Sequence, residues 1–140
     1  MSGLTIRNFT RQTVPGALFQ KAAEAVLPGW EVSLVFVGER RAKALNMQLR
    51  DKTYTPNVLS YTVGEKHGEI LICPKAAERQ AAAFGLSQRD FMLLLFIHGL
   101  LHLKGMQHGD TMERYERSFL AQVAGARARV PHESTHHHRH

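Results

Sequence analysis

Three histidines late in the chain stand at a spacing that can hold a metal ion. His98 and His102 are four residues apart, so in a helix turning 100° per residue they stack on one face. Gly105 lets the chain leave that helix sharply, and His108 can then fold back towards the other two. Three imidazoles at this spacing form one wall of a tetrahedral zinc site with its fourth position open, and open three-ligand sites are generally catalytic. A single histidine on an apolar face is more often a hydrogen-bonded core residue, and an i, i+4 pair alone is a modest signal. The pair followed by a glycine turn and a third histidine points to metal. A closed structural zinc is the remaining alternative. Such sites usually take four protein ligands with cysteine among them, and Cys73, the one cysteine, stands in no recognisable ligand pattern.

The elements that must position these residues can be read along the chain. Residues 4–9 alternate like a strand. Pro15 suits the first turn of a helix reaching Val26, which Pro28-Gly29 ends. Residues 30–37 are rich in Val, Leu and Phe, as a buried central strand is. Gly38 breaks that run, and residues 39–49 follow as a helix with Ala42, Leu45 and Leu49 on one side. Residues 57–63 and 69–73 read as the strands of an antiparallel hairpin, joined by a turn over 64–68 that contains His67. An alanine-rich helix over 74–84 stops at Gly85. Ser87 is a good N-cap, with Asp90 three residues on, for a helix over 88–103 that carries the first two histidines. Phe91, Leu94 and Leu95 continue their face, which predicts that both imidazoles point into the core. Lys104 complements the helix dipole, Gly105 stops the helix, and residues 111–128 close the chain as a last helix. The expected fold class is α/β (α+β): a single domain over 1–130, with a small mixed sheet of about four strands, about five helices and a zincin-like metal helix. A loose His-rich tail over 131–140 follows.

Composition narrows the function. The 140 residues carry 18 Lys+Arg against 12 Asp+Glu, a net charge of +6, and their length fits one domain. Hydrophobic residues at 44% and charged residues at 21% exclude a disordered chain. One cysteine excludes a disulfide scaffold and suits a reducing compartment, so the cytoplasm is the expected location. The longest apolar run, 91–97, is far short of the ~20 residues that span a bilayer, so no membrane role is expected. Of the nine histidines, His132, His136, His137, His138 and His140 belong to the tail. Removing 131–140 takes away Arg139 and Glu133, leaving 17 basic against 11 acidic residues and the same +6. Arg40, Arg41, Lys43, Arg50 and Lys52 form a cluster within that body, opposed by Glu39 and Asp51. Such a run is either a polyanion-facing patch or a solvated helix face.

The histidine spacing also matches the metzincin protease frame H-E-x-x-H-x-x-G-x-x-H in its histidines and its glycine. Gly99, however, occupies the place of the catalytic glutamate, which disfavours peptide hydrolysis. The sequence instead resembles the YbeY family of rRNA-processing metalloproteins, whose signature is close to H-G-x-L-H-L-x-G-[YFH]-x-H. The matching residues are His98, Gly99, Leu101, His102, Leu103, Gly105 and His108. Upstream, Leu45-Asn46 and Arg50 match the family's L-N-x-x-[YF]-R. Asn57-Val58-Leu59-Ser60 matches [ND]-V-L-S-F, and Gly68-Glu69-Ile70-Leu71-Ile72-Cys73 matches G-D-I-x-I-C. The resemblance covers residues 4 to 128. The chain departs from the pattern at Met106-Gln107, where an aromatic-Asp pair is commoner, at Leu49, at Tyr61-Thr62 and in a short hairpin turn. None of these removes a ligand or Arg50.

The resemblance implies a single-strand-directed, zinc-dependent endoribonuclease acting in ribosomal RNA maturation, including the 16S rRNA 3′ end, and in ribosome quality control. Its partners would be single-stranded RNA, rRNA and ribosomal particles. It implies one Zn2+ ion held by His98, His102 and His108, with Arg50 as the functional arginine beside the cleft, so that Arg50 and His98 are the expected catalytic residues. Taken by itself, Arg50 reads equally as an ion-pair partner of Asp51 or Glu39. Tyr54 and Tyr61 are the candidates for stacking on bases, and Tyr61 reads better as a strand residue covering the core. No general base is evident near the histidines. The alternative function is a non-catalytic rRNA-binding assembly factor with a structural zinc.

Overall fold

The computed structural model describes residues 3–129; the tail at 131–140 lies outside the described residues. The elements follow as β1 (Gly3–Asn8), α1 (Gly16–Val26), β2 (Glu31–Phe36), α2 (Glu39–Arg50), β3 (Val58–Gly64), β4 (His67–Ile72), α3 (Pro74–Ala81), α4 (Gln88–Leu103) and α5 (Asp110–Ala124). The sheet order is β1-β2-β4-β3. β1 and β4 run parallel to β2, and β3 is the antiparallel edge. This is a single small α+β domain with a mixed four-stranded sheet and five α-helices among the described residues.

The alternation along β2 and β4 divides the core between the two faces of the sheet. Val32, Leu34, Phe36, Ile70 and Ile72 pack with α1 and α4, whereas Val35, Leu71 and Cys73 pack with Ala42 and Leu45 of α2. Both faces are covered, which is why these strands read as near-continuous apolar runs.

α4 starts where its capping residues predict, with Ser87 Oγ accepting a hydrogen bond from the Asp90 N–H at 3.1 Å. It differs from the expected one-sided helix. Every residue from Phe91 to Leu101 is buried, because α1, α3, α5, β3 and β4 all pack against it. Two glycine contacts seat it on the sheet. A Cβ at Gly99 would lie 3.0 Å from Ile70 Cδ1 of β4, and one at Gly68 of β4 would lie 2.5 Å from Leu103 Cδ1.

Three boundaries differ from the sequence expectation. The β3–β4 turn is Glu65-Lys66 rather than 64–68. Gly64 pairs with His67 across it, a bulge lies between Thr62 and Gly64, and Lys66 has φ +51°. His67 therefore belongs to β4. The helix expected over 74–84 ends at Ala81 and tightens into a 3₁₀ turn over Ala82–Phe84. The last helix stops at Ala124, where Gly125 turns left-handed and its N–H bonds to the Ala121 carbonyl.

Candidate metal centre and cleft

α4 and the loop after it bring the three histidines together. His98 and His102 stand one turn apart on α4. The chain then reverses through Gly105 (φ +104°) and Gly109 (φ +149°), conformations that a residue with a Cβ adopts only under strain. His108 lies between these glycines. One ligand nitrogen from each of the three rings lies within 4.8 Å of the others. His102 Nε2 and His108 Nε2 are 3.1 Å apart. Among the described residues this is the histidine, cysteine or carboxylate group with the geometry to hold a metal, and Cys73 is buried in the α2-side core.

The three rings differ in exposure. His98 is buried, at 1%. His102 is half-buried and His108 is exposed, so the cluster opens to one side. The expectation that both helix imidazoles point into the core holds for His98 and not for His102, which lies where α4 emerges beside the cleft. Burial, followed by repulsion from His98 and His108, pushes the His102 pKa down to about 4, against an upward pull from Glu116. His102 is therefore neutral at physiological pH, which is the form that binds metal. Three converging imidazole nitrogen donors with an open side match the donor chemistry of a zinc site, so the residues fit the group.

The open side faces a cleft of about 340 Å³ lined by Arg50, Ser60, Tyr61, Thr62, His102, Leu103 and His108. Arg50, the last residue of α2, thus shares a cavity with two of the histidines. Its Nη1 donates to Asn46 Oδ1 and to the Tyr54 hydroxyl, each at 3.1 Å. Asn46 is fully buried, and its Nδ2 donates to the Tyr54 carbonyl at 2.9 Å. The ion-pair alternative for Arg50 is not the arrangement found: among the described residues its side chain forms no ion pair with Asp51 or Glu39, and Glu39 pairs with Arg79 at 2.6 Å. A guanidinium has five N–H donors, so anchoring through Nη1 leaves capacity for an anion in the cleft.

The two tyrosines are engaged in the fold. The Tyr54 hydroxyl holds Arg50. Tyr61 packs against the α2-side core and its hydroxyl donates to Glu69 Oε1. Burial and then Glu69 raise its pKa. This agrees with the reading of Tyr61 as a strand residue covering the core.

Sequence reasoning missed Glu116. It lies on α5, is 3% exposed, and its Oε2 and His98 Nδ1 form a buried hydrogen-bonded pair. The available signal was spacing, because Met112, Glu116, Leu120 and Val123 form the buried stripe of α5. Asn46 was legible only as a motif letter; its buried amide and its hold on Arg50 are structural findings.

Comparison with known proteins identifies the family. The family model for Endoribonuclease YbeY matches residues 5–124. A curated Endoribonuclease YbeY from an Arthrobacter species is 34% identical over 128 residues, 82% of this chain and 80% of its own. One from Thiobacillus denitrificans is 32% identical over 107 residues, 73% of each chain. TM1509 from Thermotoga maritima, solved in solution, superposes with a TM-score of 0.66 at 25% identity, covering 88% of this chain and 90% of that one. A family-model match across nearly all of the described residues and relatives 34% and 32% identical over most of the chain lead to one conclusion: the chain belongs to the YbeY endoribonuclease family.

Proposed function

We propose that this chain is a zinc-dependent, single-strand-specific endoribonuclease acting in rRNA maturation, including the 16S 3′ end, and in ribosome quality control in the cytoplasm. The observation that carries this reading is the convergence of His102, His108 and Arg50 on one cleft, with His98 buried behind them. The names of the relatives support RNA as the substrate. The net charge of +6 supports association with a polyanion through counterion release. No helix among the described residues is long and apolar enough to cross a membrane.

His98, His102 and His108 would hold the zinc. When bound, the ion supplies Lewis acidity towards a phosphate oxygen or a water in the cleft. Arg50 pairs the oxygens of the scissile phosphate and stabilises the charge that develops there, a task suited to a planar fork that stays charged. Asn46 and Tyr54 set the direction of that fork. Ser60 and Thr62 offer hydroxyls along the cleft wall to sugar or phosphate. Buried His98 closes the rear of the site to water.

The test is cleavage of single-stranded and duplex rRNA fragments by nuclease-free protein. Zinc-loaded wild type cuts the single strand, and His98→Ala loses cleavage while circular dichroism shows an intact fold. Tight RNA binding by zinc-loaded wild type with no cleavage would replace this reading with that of a non-catalytic assembly factor. Cleavage that persists in His98→Ala would come from a contaminant.

A further inference from the structure

Glu116 occupies a position where a carboxylate is costly. Its neighbours along the buried stripe of α5 are the apolar Met112 and Leu120. A buried ionised group is tolerated only when it is paired or hydrogen-bonded, and an apolar replacement of similar volume is often neutral or stabilising. Stability alone therefore gives no reason for a carboxylate here. Its contact does. Glu116 Oε2 meets His98 Nδ1, and both side chains lie out of water, at 4% and 1% exposure.

We infer that Glu116 is a positioning residue that acts through His98. An ionised carboxylate can only accept, so Nδ1 carries the proton and Nε2 becomes the lone-pair nitrogen. The bond also fixes the ring, whose centroid lies 4.7 Å from that of His102 and 5.1 Å from that of His108. A carboxylate behind a ligating imidazole sets its tautomer and raises its basicity as a donor. The metal site is thus assembled from α5 as well as from α4, and docking of α5 on α4 aligns the most deeply buried ligand. Glu116 touches neither substrate nor metal in this role. The inference rests on the reading that the three histidines bind metal.

Two measurements test it. In wild-type apoprotein at pH 8, two-bond 1H–15N spectra show His98 protonated at Nδ1, and Glu116→Leu moves the proton towards Nε2. In competition with a chelator, the full-length Glu116→Gln protein binds zinc ~10- to 100-fold more weakly than wild type; both carry the same tail, so their difference reports the site. The melting temperature of the Gln apoprotein stays level or rises. A merely structural role predicts the opposite pattern, a lower apoprotein melting temperature with unchanged zinc affinity in the folded protein. Equal zinc affinity in wild type and Glu116→Gln, both tighter than full-length His98→Ala, or Nε2–H on His98 in wild type, overturns the inference and leaves the metal site standing. A wild-type protein that binds zinc no more tightly than His98→Ala overturns both.

Discussion

Gly99 of α4 lies so close to Ile70 of β4 that an added Cβ would come within 3.0 Å of Cδ1, 3.2 Å of Cγ2 and 3.3 Å of Cγ1. This contact explains why the position beside the first histidine holds no carboxylate. In the metzincin spacing a glutamate stands there; in this fold that side chain would enter the sheet. Gly99→Ala gains helix propensity worth ~1 kcal/mol and suffers overpacking of ~1–3 kcal/mol against a fully buried isoleucine. The expected net effect is a destabilisation of about 1 kcal/mol by urea titration, and Gly99→Glu loses considerably more. A Gly99→Glu protein as stable as wild type would show that the helix does not sit on Ile70.

Gly68 and Leu103 make a second test of how α4 is seated. A Cβ at Gly68 would fall 2.5 Å and 2.8 Å from the two Leu103 methyls. Gly68→Ala should cost ~1–3 kcal/mol by overpacking, and the double variant with Leu103→Ala should lose less than the sum of the two single losses. Two independent, additive effects would contradict the contact.

Asn46 should act on catalysis through Arg50. Arg50→Ala lowers kcat/KM for single-stranded RNA by ~10²- to 10³-fold. Asn46→Ala, which releases the guanidinium, lowers it by roughly tenfold or more without changing zinc content. In an Arg50→Ala background, Asn46→Ala should cost almost nothing further in kcat/KM. Full additivity in that cycle would show that Asn46 does not position Arg50.

Gly105 links backbone shape to the third ligand. Its φ of +104° makes Gly105→Ala strained by ~1–3 kcal/mol. Because His108 enters the site through this reversal, the variant should also bind zinc more weakly than wild type. Lower stability with unchanged zinc affinity would mean that His108 is placed by the α5 side of the loop alone.

Much of this site is local chemistry and therefore legible in the chain. Ser87, Asp90 and Gly105 mark the ends of α4 because caps act within a few residues, and the histidine spacing sits inside those marks. The turn between β3 and β4 was misread for a physical reason. Gly64 and Gly68 look like the two ends of a loop, yet Gly68 is a strand residue made small by Leu103, which is 35 positions away in sequence. Glu116 was missed for a related reason. A glutamate on a polar-looking helix reads as solvated until packing shows α5 turning that face onto His98. Long-range contacts of this kind leave no local signature.

The most direct test of the central claim is the metal content of protein ending at residue 130, measured beside cleavage of a single-stranded rRNA fragment. Without the tail histidines, the account predicts one zinc per chain. It also predicts cleavage that a chelator abolishes and added zinc restores, with the metal raising the melting temperature by mass action. A tail-deleted protein that folds, holds no zinc and gains no stability from it would contradict the assignment of His98, His102 and His108 as a metal centre.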